Sequence, residues 1–92
     1  MATTSNNKDK RVKFDIEAET GSEVCIAGSF NSWDGKANKL KNKNGVFSTT
    51  LMLLPGRYEY KFVINDVWCI DPKCREWVPN SYGSLNSVVV VD

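Results

Sequence analysis

Lys61 and Trp68 are the two residues whose types and spacing most clearly suggest chemistry in this chain. Between them lies Asn65-Asp66, which fits a two-residue hairpin loop because asparagine tolerates the positive φ that such a turn requires. In that register Val63 lies opposite Trp68, and Lys61 is diagonal to the tryptophan, about 7 to 8 Å away between backbones. The lysine and the tryptophan are therefore predicted to project together from one face of the hairpin.

The opposite face of this hairpin is apolar. Alternation of side chains along a strand places five residues there, namely Tyr60, Phe62, Ile64, Val67 and Cys69. We expect that face to enter the core, which leaves the lysine and the tryptophan outside it. Such a pair suits a sugar, because the C–H face of a pyranose packs on an indole while an ammonium donates hydrogen bonds to hydroxyls.

Trp33 offers a second aromatic platform, since it lies in the polar stretch Ser29 to Asn38, which is predicted to be a loop. Two platforms at an angle match the curvature of an α-1,4 glucan chain better than a flat β-glucan. The competing interpretation is that each tryptophan packs in the core, which is the commoner fate of a lone tryptophan in a small β-domain. For Trp77 we favour this core or lid role and leave it out of the site.

Composition excludes several classes of function. The 92 residues suffice for one domain, and 12 basic against 11 acidic residues give a net charge of +1, without the strong field expected of a nucleic-acid or membrane binder. No apolar run approaches the roughly 20 residues that span a bilayer. No signal segment is evident, so a cytoplasmic protein is expected. Three cysteines and no histidine favour free thiols and argue against a zinc site, and no cofactor is expected.

The strand pattern predicts an all-β domain. Residues 1–10 are predicted to be a disordered leader and residues 11–92 one β-sandwich domain. Strands are predicted from Arg11 onward and at Glu23–Ala27, Lys39–Lys41, Val46–Leu53, Arg57–Ile64 and Ser87–Val91, with a turn at Asn42–Gly45. The turn at Pro55-Gly56 suggests that the strands on either side of it form an antiparallel hairpin. Asp71 to Ser84 is expected to be irregular, and the whole suggests an antiparallel β-sandwich with an immunoglobulin-like outline.

Three segments of the chain resemble carbohydrate-binding module family 48, the group that includes the glycogen-binding domain of the AMP-activated protein kinase β subunit. They are Val24–Trp33, Tyr58–Trp68 and Asp71-Pro72. The resemblance implies an early-set immunoglobulin-like fold and non-catalytic binding of α-glucan of the glycogen or starch type, which targets a partner or attached enzyme to the polysaccharide. It also implies a sugar site at Trp33, Lys61 and Trp68.

The same resemblance extends the site to a segment before the last strand, where the family has a hydrophobic residue, a hydroxyl and an asparagine. Here these positions are Tyr82, Ser84 and Asn86, and the last two keep groups that hydrogen-bond sugar hydroxyls. Tyr82 departs from the family pattern. A tyrosine there either stacks on a glucose ring and strengthens binding, or blocks insertion of the chain, and the sequence leaves both outcomes open.

Two other function classes compete with glucan binding. An enzyme is disfavoured because the chain has no histidine to act as a base and no paired-carboxylate motif. A protein-interaction module of the same fold, such as a domain that docks on a kinase or a glucan-active enzyme, stays open because a fold does not specify function. The expected partners are thus an α-glucan or a maltooligosaccharide, with a kinase or glucan-active enzyme as a further partner.

Overall fold

The computed structural model describes residues 9–92, and within this range the chain forms nine β-strands. They are β1 Lys10–Glu17, β2 Val24–Gly28, β3 Asn38–Lys39, β4 Lys41–Lys43, β5 Val46–Leu53, β6 Gly56–Ile64, β7 Val67–Cys69, β8 Trp77–Pro79 and β9 Leu85–Val91. Residues 1–8 of the predicted leader lie outside the described residues, and its last residue, Lys10, begins β1. Residues 9–92 contain no helix that is long and apolar enough to span a membrane.

The strands form two antiparallel sheets, which confirms the all-β prediction. The smaller sheet has the order β1-β5-β4, and the larger has the order β3-β2-β6-β9-β8, with β7 paired to β6 as an additional strand. Their inner faces enclose one core because the apolar residues of β1, β5 and β6 recur with period two. Phe14 of the smaller sheet and Tyr60 of the larger meet edge-on, with ring centroids 5.0 Å apart.

The predicted hairpin between Val46–Leu53 and Arg57–Ile64 is wrong. β5 lies in the smaller sheet between β1 and β4, whereas β6 lies in the larger sheet, so the chain crosses from one sheet to the other at Leu54-Pro55. Both edges of β6 are already occupied, by β2 on one side and by β9 and β7 on the other. Adjacency along the chain therefore did not imply pairing.

The predicted strand Lys39–Lys41 is in fact two short strands, β3 and β4, which belong to different sheets. Leu40 separates them because its side chain is buried in the core and its N–H donates to Val24 O over 2.8 Å. The turn predicted at Asn42–Gly45 is shorter in the structure, where only Asn44 and Gly45 lie between β4 and β5. Their φ values of 56° and 88° are those of a hairpin turn with two positive φ angles.

The segment predicted to be irregular contains β8, which pairs with β9 at the edge of the larger sheet. Trp77 begins this strand, is 39% exposed, and donates from Nε1 to Asp71 O over 3.3 Å, so it covers the edge of the sheet rather than filling the core. The uninterrupted β-branched run at Ser87–Val91 predicts a buried strand. β9 is not buried throughout, because Val90 on its outer face is 60% exposed.

Candidate functional site

A groove of about 710 Å³ lies on the outer face of the larger sheet, between the loop after β2 and the loop before β9. Its walls include every residue that the sequence analysis assigned to the site, namely Trp33, Lys61, Trp68, Tyr82, Ser84 and Asn86. Three further residues line it, namely Glu59, Asn80 and Ser81. Residues from four separate stretches of the chain therefore converge on one surface.

The hairpin of β6 and β7 has the predicted register, with Val63 opposite Trp68 and Phe62 opposite Cys69. Asn65 and Asp66 form its turn, with φ values of 49° and 67°. Because Phe62 is completely buried in the core, alternation sends Trp68 outward, where it is 45% exposed. The edge of its ring rests on the backbone of the loop after β2: Trp68 Cζ2 would lie 3.0 Å from a Cβ atom placed on Gly35.

Lys61 projects from the same outer face but is only 8% exposed, which differs from an ordinary solvated surface lysine. Its Nζ donates to Ser84 Oγ over 2.7 Å, which ties the floor of the groove to the loop before β9. An ammonium has three N–H donors, so this contact leaves two for other acceptors. The described residues place no carboxylate within 4.0 Å of Nζ, and the cation is therefore held without an ion pair.

Trp33 lies in a loop with a strained backbone, since Ser32 and Trp33 have φ values of 59° and 60°. Asn31 holds this conformation: its Oδ1 accepts from Gly28 N over 3.0 Å, and its Nδ2 donates to Ile26 O over 3.0 Å. Gly28 O in turn accepts from Trp33 N over 2.9 Å. The loop thus presents the indole to the groove at a definite place, and strain of this kind is concentrated at binding sites.

The loop Asn80–Ser84 forms the other wall, and we call it the clasp loop. Asn80 Oδ1 accepts from Tyr82 N over 2.9 Å and from Ser84 N over 3.1 Å, while Ser84 O accepts from Asn80 N over 2.9 Å. Gly83 permits the tight turn, with a φ of 78°. Tyr82 stands at the tip of the loop and is 91% exposed, so its ring borders the groove without core contacts.

Asn86 is buried at the base of the groove, and both ends of its amide are engaged. Its Oδ1 accepts from Asn80 Nδ2 over 2.9 Å, and its Nδ2 donates to Glu59 Oε1 over 3.0 Å. Glu59 is also paired with Arg57 Nη1 over 3.2 Å. Because an amide has two N–H donors and two lone pairs, Asn86 keeps one of each for a ligand.

Sequence reasoning missed Glu59, Asn80 and Ser81. Glu59 could have been predicted from the sequence, because it lies two residues before Lys61 and alternation puts both residues on the outer face of β6. Asn80 follows a proline in a turn-rich stretch, which indicates a side chain that bonds nearby backbone N–H groups. No pattern in the sequence showed that these bonds would face the groove.

A buried hydrogen bond lies beneath the site, where Tyr60 OH donates to Asp71 Oδ2 over 2.7 Å. Burial and this contact raise the pKa of Tyr60 well above its usual value near 10. Asp71 Oδ1 also accepts from Lys73 N over 2.9 Å, which agrees with the structural role expected of a turn aspartate. Ser87 Oγ accepts from Asp71 N over 2.9 Å and links this turn to β9.

The groove combines exposed aromatic faces with fixed polar groups, an arrangement that suits an uncharged ligand rich in hydroxyls. Within residues 9–92, no group of three His, Cys, Asp or Glu side chains is placed to hold a metal ion. The three cysteines are free thiols, and burial raises the pKa of Cys25.

Family comparison agrees with this geometry. The family described as the glycogen recognition site of AMP-activated protein kinase matches residues 11–92. The chain belongs to this glycogen-recognition family. Apart from Lys10, the first residue of β1, all nine strands fall within the match, and so do all residues around the groove.

Relatives in the family come from plants and animals. Protein PTST homolog 2, chloroplastic, of Arabidopsis thaliana is 45% identical over 72 residues, which are 78% of this chain and 13% of that protein. Protein FLOURY ENDOSPERM 6, chloroplastic, of Oryza sativa subsp. japonica is 37% identical over 81 residues, 88% of this chain and 15% of that protein. The 5'-AMP-activated protein kinase subunit beta-2 of Mus musculus is 36% identical over 74 residues, 80% of this chain and 27% of that subunit.

The chain therefore spans between 13% and 27% of the length of these relatives. Among solved structures, maltogenic amylase from S. marinus resembles it with a TM-score of 0.71 and 24% identity, over 89% of this chain and 13% of that chain. This likeness concerns the fold and confirms the antiparallel β-sandwich.

Proposed function

We propose that this domain binds α-glucan chains of the glycogen or starch type in the groove between the Trp33 loop and the clasp loop. One observation carries the proposal: the six residues that the sequence assigns to the site converge on a single groove. Trp33 and Trp68 supply surfaces on which glucose rings stack, and Lys61 and Asn86 supply donors and an acceptor for the hydroxyls. Membership in the glycogen-recognition family supports the same ligand.

The groove is open and its polar contacts are few, so the affinity for a short oligosaccharide is expected to be weak. Immobilising a flexible sugar chain costs roughly 0.5 to 1.5 kcal/mol for each ordered group, by analogy with side chains, and this offsets much of the stacking gain. Longer chains engage more of the wall, so we expect affinity to rise with chain length until the groove is filled.

We further propose that the domain acts without catalysis and targets an attached or associated enzyme to the polysaccharide. Glu59 is the one carboxylate among the lining residues, and it is committed to Asn86 and Arg57. Glycoside hydrolysis uses two carboxyl groups across the scissile bond, which this groove does not supply. The small share of its relatives' length that the chain covers supports a module within larger proteins.

A second function, docking on a kinase or a glucan-active enzyme, is supported by the relationship to the kinase subunit beta-2. Docking through a surface outside the groove is compatible with glucan binding.

A cytoplasmic location stays a prediction from composition, and two relatives have the word chloroplastic in their names. Microscopy of a fluorescent fusion tests the location.

Co-sedimentation with insoluble glycogen and starch tests the proposed function. The parent protein is expected to sediment with the polysaccharide, and Trp33→Ala and Trp68→Ala each to remain in solution. Trp77→Ala is the matched control, because it removes a partly exposed tryptophan that lies outside the groove. Urea unfolding of each variant shows whether loss of binding reflects loss of fold.

Two results would contradict the proposal. The first is a parent protein that does not sediment with either polysaccharide, which would favour the docking function. The second is retention that falls as much in folded Trp77→Ala as in the two groove variants, because binding would then lie elsewhere on the surface.

A further inference from the structure

Asn80 makes three side-chain hydrogen bonds, more than any other residue that lines the groove. Its Oδ1 accepts from Tyr82 N and Ser84 N, and its Nδ2 donates to Asn86 Oδ1, all between 2.9 and 3.1 Å. Its backbone closes the same loop through Ser84 O and Gly83 N. One side chain thus joins the tip of the loop to the base of the groove.

Apart from the bond from Lys61 Nζ to Ser84 Oγ, the clasp loop has little else to hold it in place. Residues 81–85 are exposed, and Tyr82 is outside the hydrophobic core. A short exposed loop without apolar contacts would sample many conformations, each of which costs free energy to exclude when a ligand binds. The bonds to Asn80 remove much of that freedom beforehand, so that the Ser84 hydroxyl meets Lys61 and Tyr82 borders the groove.

The hydrogen bond from Asn80 Nδ2 to Asn86 Oδ1 fixes the orientation of Asn86. Asn86 Oδ1 faces Asn80 Nδ2, and Asn86 Nδ2 faces Glu59 Oε1. A flipped Asn86 amide would lose both hydrogen bonds, because it would place donor against donor and acceptor against acceptor. Glu59 is held in turn by Arg57. The unused donor and acceptor of Asn86 are therefore presented to the groove in fixed positions.

We propose that Asn80 is the positioning residue of this groove: it contributes to glucan affinity by preorganising Tyr82, Ser84 and Asn86. The inference rests on the proposed function and extends it to a residue that does not itself stack on the sugar. Preorganisation raises affinity by reducing the ordering cost of binding. Without these hydrogen bonds the loop would have to be ordered when the glucan binds, and binding should weaken about tenfold.

Isothermal titration of the whole chain with maltoheptaose tests the proposal. Asn80→Ala is expected to bind about tenfold more weakly than the parent and to remain folded in urea unfolding, because the Tyr82 and Ser84 amides that lose their acceptor are exposed to water. Asn80→Asp keeps the Oδ1 acceptor for Tyr82 N and Ser84 N but loses the donor to Asn86, and should show an intermediate affinity. In NMR exchange measurements without ligand, the Tyr82 and Ser84 amide protons should exchange faster in Asn80→Ala than in the parent.

A double-mutant cycle separates positioning from a general structural effect. In a Tyr82→Ala/Ser84→Ala background, Asn80→Ala should cost clearly less affinity than it does in the parent, because two of the groups it positions are gone. Equal costs in both backgrounds, or parent-like affinity of Asn80→Ala, would overturn the positioning role while leaving glucan binding intact. Failure of the parent itself to bind maltoheptaose would overturn both proposals, even with altered amide exchange.

Discussion

The Trp68 ring packs on Gly35, so close that a Cβ atom at that position would lie 3.0 Å from Trp68 Cζ2 and 3.6 Å from Val63 Cγ2. The φ of Gly35 lies outside the left-handed region, so an alanine fits its backbone but not the space beside the indole. This contact couples the loop that carries Trp33 to the strand that carries the second tryptophan.

Gly35→Ala should therefore displace the Trp68 ring and weaken glucan binding about fivefold, while the free energy of unfolding changes by less than about 1 kcal/mol. Gly45→Ala is the matched control, because its φ of 88° makes alanine strained while no atom lies within 4 Å. The control should lose about 1 kcal/mol of stability and keep its affinity. Titration calorimetry and urea unfolding measure the two quantities, and the reverse pattern would contradict the coupling.

Lys61→Met should abolish most of the binding and leave stability within about 1 kcal/mol of the parent. Methionine fills a similar volume, and no ion pair is lost with the ammonium. The hydrogen bond that is lost ends on Ser84 Oγ, which is exposed and can bond to water instead. Lys43→Met, on an exposed strand of the other sheet, serves as the control for a lost charge. Equal retention of both variants on glycogen would show that the ammonium does not contact the sugar.

Tyr82→Ala decides between the two outcomes left open for this position. Because Tyr82 is almost fully exposed beside the groove, we expect its ring to stack on glucose, and the alanine variant to bind about three- to tenfold more weakly. Tyr82→Phe should keep the affinity of the parent, because stacking uses the ring rather than the hydroxyl. Tighter binding by the alanine variant would show instead that the tyrosine obstructs the chain.

Tyr60→Phe should lower the free energy of unfolding at pH 7 by about 1 to 3 kcal/mol, because it leaves the Asp71 carboxylate without its buried donor. The raised pKa of Tyr60 gives a contribution that is fully present below pH 10 and is lost as the pH rises above it. The parent should therefore lose stability relative to the variant by up to about 1.4 kcal/mol per pH unit above pH 10. Chemical denaturation at pH 7, 9, 10 and 11 measures the difference, and a constant gap across this series would contradict the assignment.

Asp66→Gly should stabilise the domain by about 0.5 kcal/mol, since glycine adopts the φ of 67° at this turn position without strain. The register of β6 and β7 is expected to persist, so affinity for maltoheptaose should not change. A weaker affinity at unchanged stability would mean that the aspartate itself takes part in the site.

The local sequence pattern was sufficient to predict the register of the hairpin that carries Lys61 and Trp68. The two-residue turn and the alternation of apolar side chains specify which residues oppose each other, and this information is complete within ten residues of chain. For the opposite face, the same reasoning is confirmed at Tyr60 and Phe62, which are buried in the core. It is wrong at Val67, which is 61% exposed because it lies at the end of the hairpin beside the turn. Resemblance to a family added Ser84, Asn86 and Tyr82, whose positions no local pattern specifies.

Only the tertiary structure decided which strands share a sheet and what surrounds the groove. Val46–Leu53 and Gly56–Ile64 are neighbours in sequence yet lie in different sheets, because pairing depends on which strand edges are free after the whole chain has folded. The burial of Lys61, the contact of Trp68 with Gly35 and the hydrogen bonds of Asn80 likewise join residues from separate loops and strands. Such contacts depend on distances in space, which the order of residues along a strand does not specify.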